Sequence, residues 1–144
     1  MNTHDKNSTI NREAAIIGCG EYGYAILNSM KTIGFTLNVM DINPDSFQKF
    51  SGMDIKNGSI IPMVGNGMSI NDLSILPKDI SIIVVMTGDD SINLFIGQLS
   101  KFLFRTAKII CKINNEKIML LGKNQGILTF STTALLNETI LSVI

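Results

Sequence analysis

The chain has 144 residues, 12 Lys plus Arg against 12 Asp plus Glu, and 45% hydrophobic residues, enough for one domain to bury about 68 to 70% of its unfolded surface without disulfide or metal staples. A net charge of zero with no basic block lacks the electrostatic footprint of nucleic-acid binding. No apolar run approaches the ~20 residues of a bilayer span and no charged leader with a long apolar stretch opens the chain, which points to a cytoplasmic protein with no direct membrane insertion.

Residues 1–12 have almost no apolar content and are expected to stay mobile. They hold His4, the single histidine, so neither a Ser-His-Asp or Cys-His site nor a His-rich metal cage can be assembled. From 13 to 18 the chain reads EAAIIG, a short apolar run that stops at glycine. Apolar residues then recur at Tyr22, Ile26, Met30 and Ile33, a helical spacing closed by Gly34. Residues 35–40 (FTLNVM) form a second extended run ending at Asp41. Asn43-Pro44 predicts a helix start, with Asn as N-cap and a short helix carrying Phe47 and Phe50; Gly52, Asn57 and Gly58 then punctuate a loop.

A third strand is predicted at 59–64, and a short helix at 70–76 that Pro77 ends. The run ISIIVVM over 80–86 suits a central strand covered on both faces. Thr87-Gly88-Asp89-Asp90 reads as a turn with acidic N-caps, followed by a helix whose wide buried stripe is Ile92, Phe95, Ile96, Leu99, Phe102 and Leu103. Strands at 108–113 and 127–130 alternate with helices at 116–122 and from 133 to the end. Such alternation predicts an α/β fold: a doubly wound, parallel six-stranded sheet of order 3-2-1-4-5-6 with helices on both faces and a ligand crevice where the order reverses. The expected division is a mobile segment 1–12, a Rossmann nucleotide-binding domain 13–132 and a C-terminal helix 133–144.

Gly18-Cys19-Gly20-Glu21-Tyr22-Gly23 is a complete G-x-G-x-x-G after a strand and at the start of a helix. In that pattern Gly18 permits the tight turn, Gly20 leaves room for a pyrophosphate and Gly23 lets the helix pack close to the sheet. Asp41 lies eighteen positions beyond Gly23, near the ~20 expected of a carboxylate that holds ribose hydroxyls and repels a 2′-phosphate. This points to NAD or an adenine nucleotide rather than NADP. The alternative is a degenerate fold that keeps the glycines for packing alone. Cys19 and Cys111 read as reduced, buried thiols.

Taken together, the segments IIGCGEYG, NVMDINP, VGNGMS, VVMTGDDSINL and IICKINNEK resemble the N-terminal lobe of the regulator-of-potassium-conductance family, also called KTN or TrkA-N domains. Its members are nucleotide-sensing parts of bacterial potassium transporters and channels. The resemblance runs from Ala14 to Ile144. It implies a non-catalytic regulatory domain binding NAD(H) or ATP, ADP or AMP, with a potassium channel or transporter membrane subunit as partner. It further implies that Gly18, Gly20 and Gly23 cradle phosphate, Asp41 holds ribose, Asn66 borders adenine, Thr87 and Gly88 line the phosphate side, and Lys112 faces a terminal phosphate or a neighbouring subunit. Cys19, Glu21, Tyr22, Ile42 and Gly67 complete the expected site.

Glu21 stands where members often carry a basic residue, which disfavours tight triphosphate binding. Asn66 replaces the commoner aspartate, and an amide still reads an adenine edge. The family's C-terminal lobe has no room in 144 residues, so the chain is expected to be a fragment or a minimal protein. An NAD-dependent oxidoreductase is the first alternative function, weakened by the lack of Tyr-x-x-x-Lys; a dimerisation scaffold with a vestigial pocket is the second. The last segment carries Leu135, Leu136, Ile140, Leu141, Val143 and Ile144, apolar over more than one face, and resembles the family's crossover helix. A homodimer or higher ring is therefore expected.

Overall fold

The computed structural model describes residues 12–144, the Glu21 side chain excepted, so the mobility expected of residues 1–11, the position of His4 and the site role expected of the Glu21 side chain lie outside what is described. Six parallel strands, β1 (Glu13–Ile17), β2 (Thr36–Asp41), β3 (Ile60–Val64), β4 (Ile82–Val85), β5 (Lys108–Lys112) and β6 (Leu128–Phe130), form one sheet in the order 3-2-1-4-5-6. The register runs in step across the centre: Ile16 faces Val39 on one side and Val84 on the other. Pro62, which cannot donate to a ladder, sits on the edge strand β3.

Alternation along the strands divides the core in two. Ala15, Ile17, Ile83, Val85 and Cys111 pack on one face with Leu73 of α3 (Ile70–Leu73) and Leu94 and Ile96 of α4 (Asp90–Leu103). Ala14, Ile16, Leu37, Val39 and Val84 pack on the other with Leu27 of α1 (Glu21–Thr32) and Phe50. A central strand buried on both faces must be apolar throughout, which is why IIVV occupies β4.

Four local expectations change. The Asn43-Pro44 start opens only a four-residue 3-10 turn, Pro44–Phe47, with the Asn43 side chain accepting from the Asp45 N–H. The segment read as a loop contains a helix, α2 (Gly52–Lys56), held to α1 by the Lys31–Asp54 ion pair at 2.6 Å. In α4 the buried arc carries Asn93, Gly97 and Ser100, while Phe95 and Phe102 are exposed. The sheet approaches so closely there that a Cβ on Gly97 would lie 2.6 Å from Cys111 Sγ, so small residues face inward and the rings turn out. In α1 the buried residues are Gly23 and Leu27, with the expected Ile26 and Met30 half-buried against the same core, while Tyr22 and the C-cap Ile33 are exposed.

Helices α5 (Glu116–Asn124) and α6 (Thr132–Ser142) complete the chain. The side chains of Ser69, Asp89, Asn115 and Ser131 cap α3, α4, α5 and α6 respectively. No residue of α6 is buried. No helix among the described residues is long and apolar enough to cross a membrane.

Candidate functional site

The turn after β1 is built by close backbone approaches. Gly18 has φ +86° and lies where a Cβ would meet Thr87 N at 2.8 Å; its N–H donates to Met40 O at 2.8 Å, so it sits between the ends of β2 and β4. A Cβ on Gly23 would come within 2.9 Å of Gly18 O, which explains why glycine opens the helix there. Gly20 differs: a Cβ at this position would meet nothing within 4 Å, so the absent side chain leaves open space in front of the turn. Gly20 is also the N-cap of α1 and offers no side-chain cap, leaving the positive end of the helix free to receive an acceptor.

Asp41 ends β2 beside that turn. One carboxylate oxygen accepts from the Cys19 N–H at 2.8 Å and the other from the Asn43 N–H at 2.9 Å. These bonds fix the side chain's direction, and each oxygen keeps a lone pair for a further donor. The two cysteines are free and buried. Burial chiefly, with the nearby Asp41 carboxylate adding to it against an opposing pull from Lys49, pushes the Cys19 thiol up to about 11. Burial alone pushes Cys111 to about 12.

A cleft of about 310 Å³ opens between the carboxyl ends of β1, β2 and β4, at the point where the strand order reverses. Of the residues expected from sequence, Gly18, Gly20, Asp41, Ile42, Asn66, Gly67, Thr87 and Gly88 line it. Asn66 turns its carbonyl oxygen onto the Met68 N–H at 3.0 Å while its own N–H is held by Asp72 at 2.8 Å. Gly67 is required there, since a Cβ would meet Ile17 at 2.7 Å and Ile96 at 2.9 Å. Cys19 lies buried within the turn and Gly23 behind it; Tyr22 faces a second groove between α1 and α6. The Lys112 ammonium stands over the Tyr22 ring, 5.4 Å from its centroid, rather than in the cleft wall.

Sequence reasoning missed the apolar walls, Met40, Met68, Met86, Ile92 and Ile96, because nothing in periodicity separates a pocket wall from core. It also missed Asn93. This fully buried side chain holds both the N–H and the hydroxyl of Thr87 on Oδ1 and donates from Nδ2 to Thr87 O at 3.1 Å and Lys112 O at 2.8 Å. A polar residue four positions after the Asp89 cap, on a face that is otherwise apolar or small, was the available signal.

The family model described as TrkA-N domain matches residues 14–129. The chain belongs to the TrkA-N domain family. This TrkA-N domain is 25% identical over 109 residues to Trk system potassium uptake protein TrkA homolog 2 of Methanosarcina mazei, a match covering 72% of this chain and 23% of that relative, so the chain spans about a quarter of the relative's length. Its fold is shared with the TrkA-N domain of inner membrane protein ybaL from Escherichia coli, with a TM-score of 0.80 at 11% identity over 94% of this chain and 98% of that one. It is also shared with the Kef CTD from Shewanella denitrificans solved in AMP-bound form, with a TM-score of 0.74 at 15% identity over 91% and 79% of the two chains.

The buried thiols yield a pH prediction. The unfolded chain ionises both cysteines near 9.0, the folded one only near 11 and 12, so between these values the unfolded state binds fewer protons. Stability is therefore fully retained below about pH 9 and falls as pH rises through 9 to about 12. Urea midpoints at pH 8 and pH 10 check the sign, and at pH 8 neither thiol should react with Ellman's reagent until denaturant is added.

Proposed function

We propose that this TrkA-N domain is a non-catalytic regulatory module of a potassium transport system that binds an adenine nucleotide or NAD(H) in the cleft above Gly20 and Asp41. The observation that carries the reading is the pairing of an uncapped α1 N-terminus, open at Gly20, with a fixed carboxylate at the end of the adjacent strand. Phosphate would lie on the backbone N–H groups of the turn, ribose hydroxyls would donate to Asp41, and the base would rest among Ile42, Asn66 and Met68.

Size and charge favour a small, weakly charged ligand. A 310 Å³ cleft is at the lower end of ligand pockets, about 300 to 1,000 Å³, which suits one nucleoside monophosphate or the adenylate half of a dinucleotide. Asp41 is the one ionisable side chain lining the cleft among the described residues, so no cation there offsets the charge of a triphosphate. The same lining supports binding without chemistry: Asp41 is tied to two backbone donors and is not placed as a proton carrier. A membrane subunit that moves potassium is the proposed partner, supported by the named relative.

Asp41→Ala removes the ribose acceptor. It should weaken AMP binding at least tenfold, about 1.4 kcal/mol, in calorimetric titration of the purified chain. Equal affinity in the variant would move the ligand out of this cleft.

The apolar residues left in water by α6 and the two residues after it support a homodimer: Leu135, Leu136, Ile140 and Leu141 are exposed along a helix that buries nothing, and Val143 and Ile144 follow it exposed. Sedimentation equilibrium of the chain should return twice the monomer mass of 15.7 kDa at micromolar concentration. The double variant Leu136→Lys, Ile140→Lys should return the monomer mass.

A further inference from the structure

The carboxamide of Asn93 is saturated. Its oxygen accepts twice from Thr87, and its nitrogen donates to Thr87 O and to Lys112 O, on the neighbouring strand. Being fully buried, it has no water to make good a lost partner, so a change at Thr87 is felt at the end of β5. Two residues beyond Lys112, the chain is held again from α4: one oxygen of Asp90 accepts from Asn114 N at 3.0 Å and Asn115 N at 2.7 Å.

Asn114 carries the connection onward. Its side-chain oxygen accepts from Ser131 Oγ at 3.0 Å, Thr132 Oγ1 at 3.1 Å and Thr133 N at 3.3 Å. The Ser131 hydroxyl, its proton committed to Asn114, accepts from Ala134 N at 3.0 Å and so caps α6. Within its own chain this 11-residue helix buries no side chain, so these bonds at its first turn carry much of its intramolecular anchoring.

We infer that Asn93 and Asn114 are positioning residues of a relay through which the ligand state of the cleft sets how firmly α6 is anchored; this rests on the nucleotide-binding reading above. The switch is one proton. Thr87 lines the cleft and its hydroxyl has a single hydrogen, with Asn93 Oδ1 the nearer acceptor and Asp89 O, at 3.3 Å, the more distant one. An oxygen of a bound nucleotide competes for that hydrogen, and when it wins, Asn93 loses one of its bonds to the turn. The hold on Lys112 slackens, Asn114 shifts against its three donors, and α6 loosens. The helix that presents the exposed apolar side chains is then the element whose order reports occupancy.

Hydrogen exchange of the full chain, read on peptides covering residues 133–142, tests this in two arms. Without nucleotide, Thr87→Val, which keeps the shape and removes the hydroxyl, should speed exchange in that segment about threefold or more while β1 and β4 are unchanged. Thr87→Ser should keep the wild-type rate. An unchanged rate in Thr87→Val overturns the relay. With AMP, the same segment should exchange faster on saturation. By reciprocity Asn114→Ala, outside the cleft, should bind AMP about threefold tighter, because α6 is already released. A residue that merely capped α6 would leave AMP affinity untouched, and that result overturns the relay as well. Failure of the wild-type chain to bind AMP would sink the cleft reading, while the nucleotide-free arm still decides the relay.

Discussion

The structure depends on one close approach, that of the Gly18 backbone to the end of β4. Met86 N donates to Ile17 O at 2.8 Å, Gly18 N donates to Met40 O at 2.8 Å, and no Cβ fits between Gly18 and Thr87. Three strand ends are thus drawn together at the point where the sheet order reverses. The chain after β1 leaves toward one face and the chain after β4 toward the other, and a crevice opens between them. A side chain at Gly18 would push β4 away and close the geometry on which both the turn and the cleft rest.

The cleft that results is made mostly of backbone and apolar side chains with one fixed negative charge. Under the proposed function such a site would hold phosphate through N–H groups and a helix end rather than through lysine or arginine, which would limit its affinity for highly charged ligands to what a dipole supplies. The carboxylate opposite serves selection more than attraction. In the proposed reading it would accept from ribose hydroxyls and repel a phosphate in their place, and its direction is already set by the Cys19 and Asn43 N–H groups. The burial that orders this turn also leaves Cys19 a poor nucleophile despite its place in the motif.

Much of this was legible in the sequence because the signals were local and mutually consistent. An apolar run stopping at Gly18, three glycines in register and Asp41 at the end of the next run fix a βαβ unit, and the near-continuous apolar run before Thr87 marks the central strand. What failed to read was decided by contacts between distant segments. Phe95 and Phe102 have the spacing of a buried stripe, yet the close approach of Cys111 at Gly97 turns the helix so that small residues face the sheet. Gly52–Lys56 reads as a loop because of its glycine, and forms a helix held by Asp54 to Lys31 of α1. Asn93 is not among the residues expected in the site, and its role shows only when Thr87 and Lys112 O are brought to its two ends.

The most direct measurement is a 1H–15N NMR titration of the isotopically labelled chain with AMP. The account predicts saturable shifts largest on the amides of Cys19, Gly20, Gly67, Thr87 and Gly88, with smaller ones along the relay at residues 112–115 and 131–142 and the exposed faces of α4 and α5 quiet. Shifts centred on the groove between α1 and α6, or no saturable shift at millimolar AMP, would contradict it.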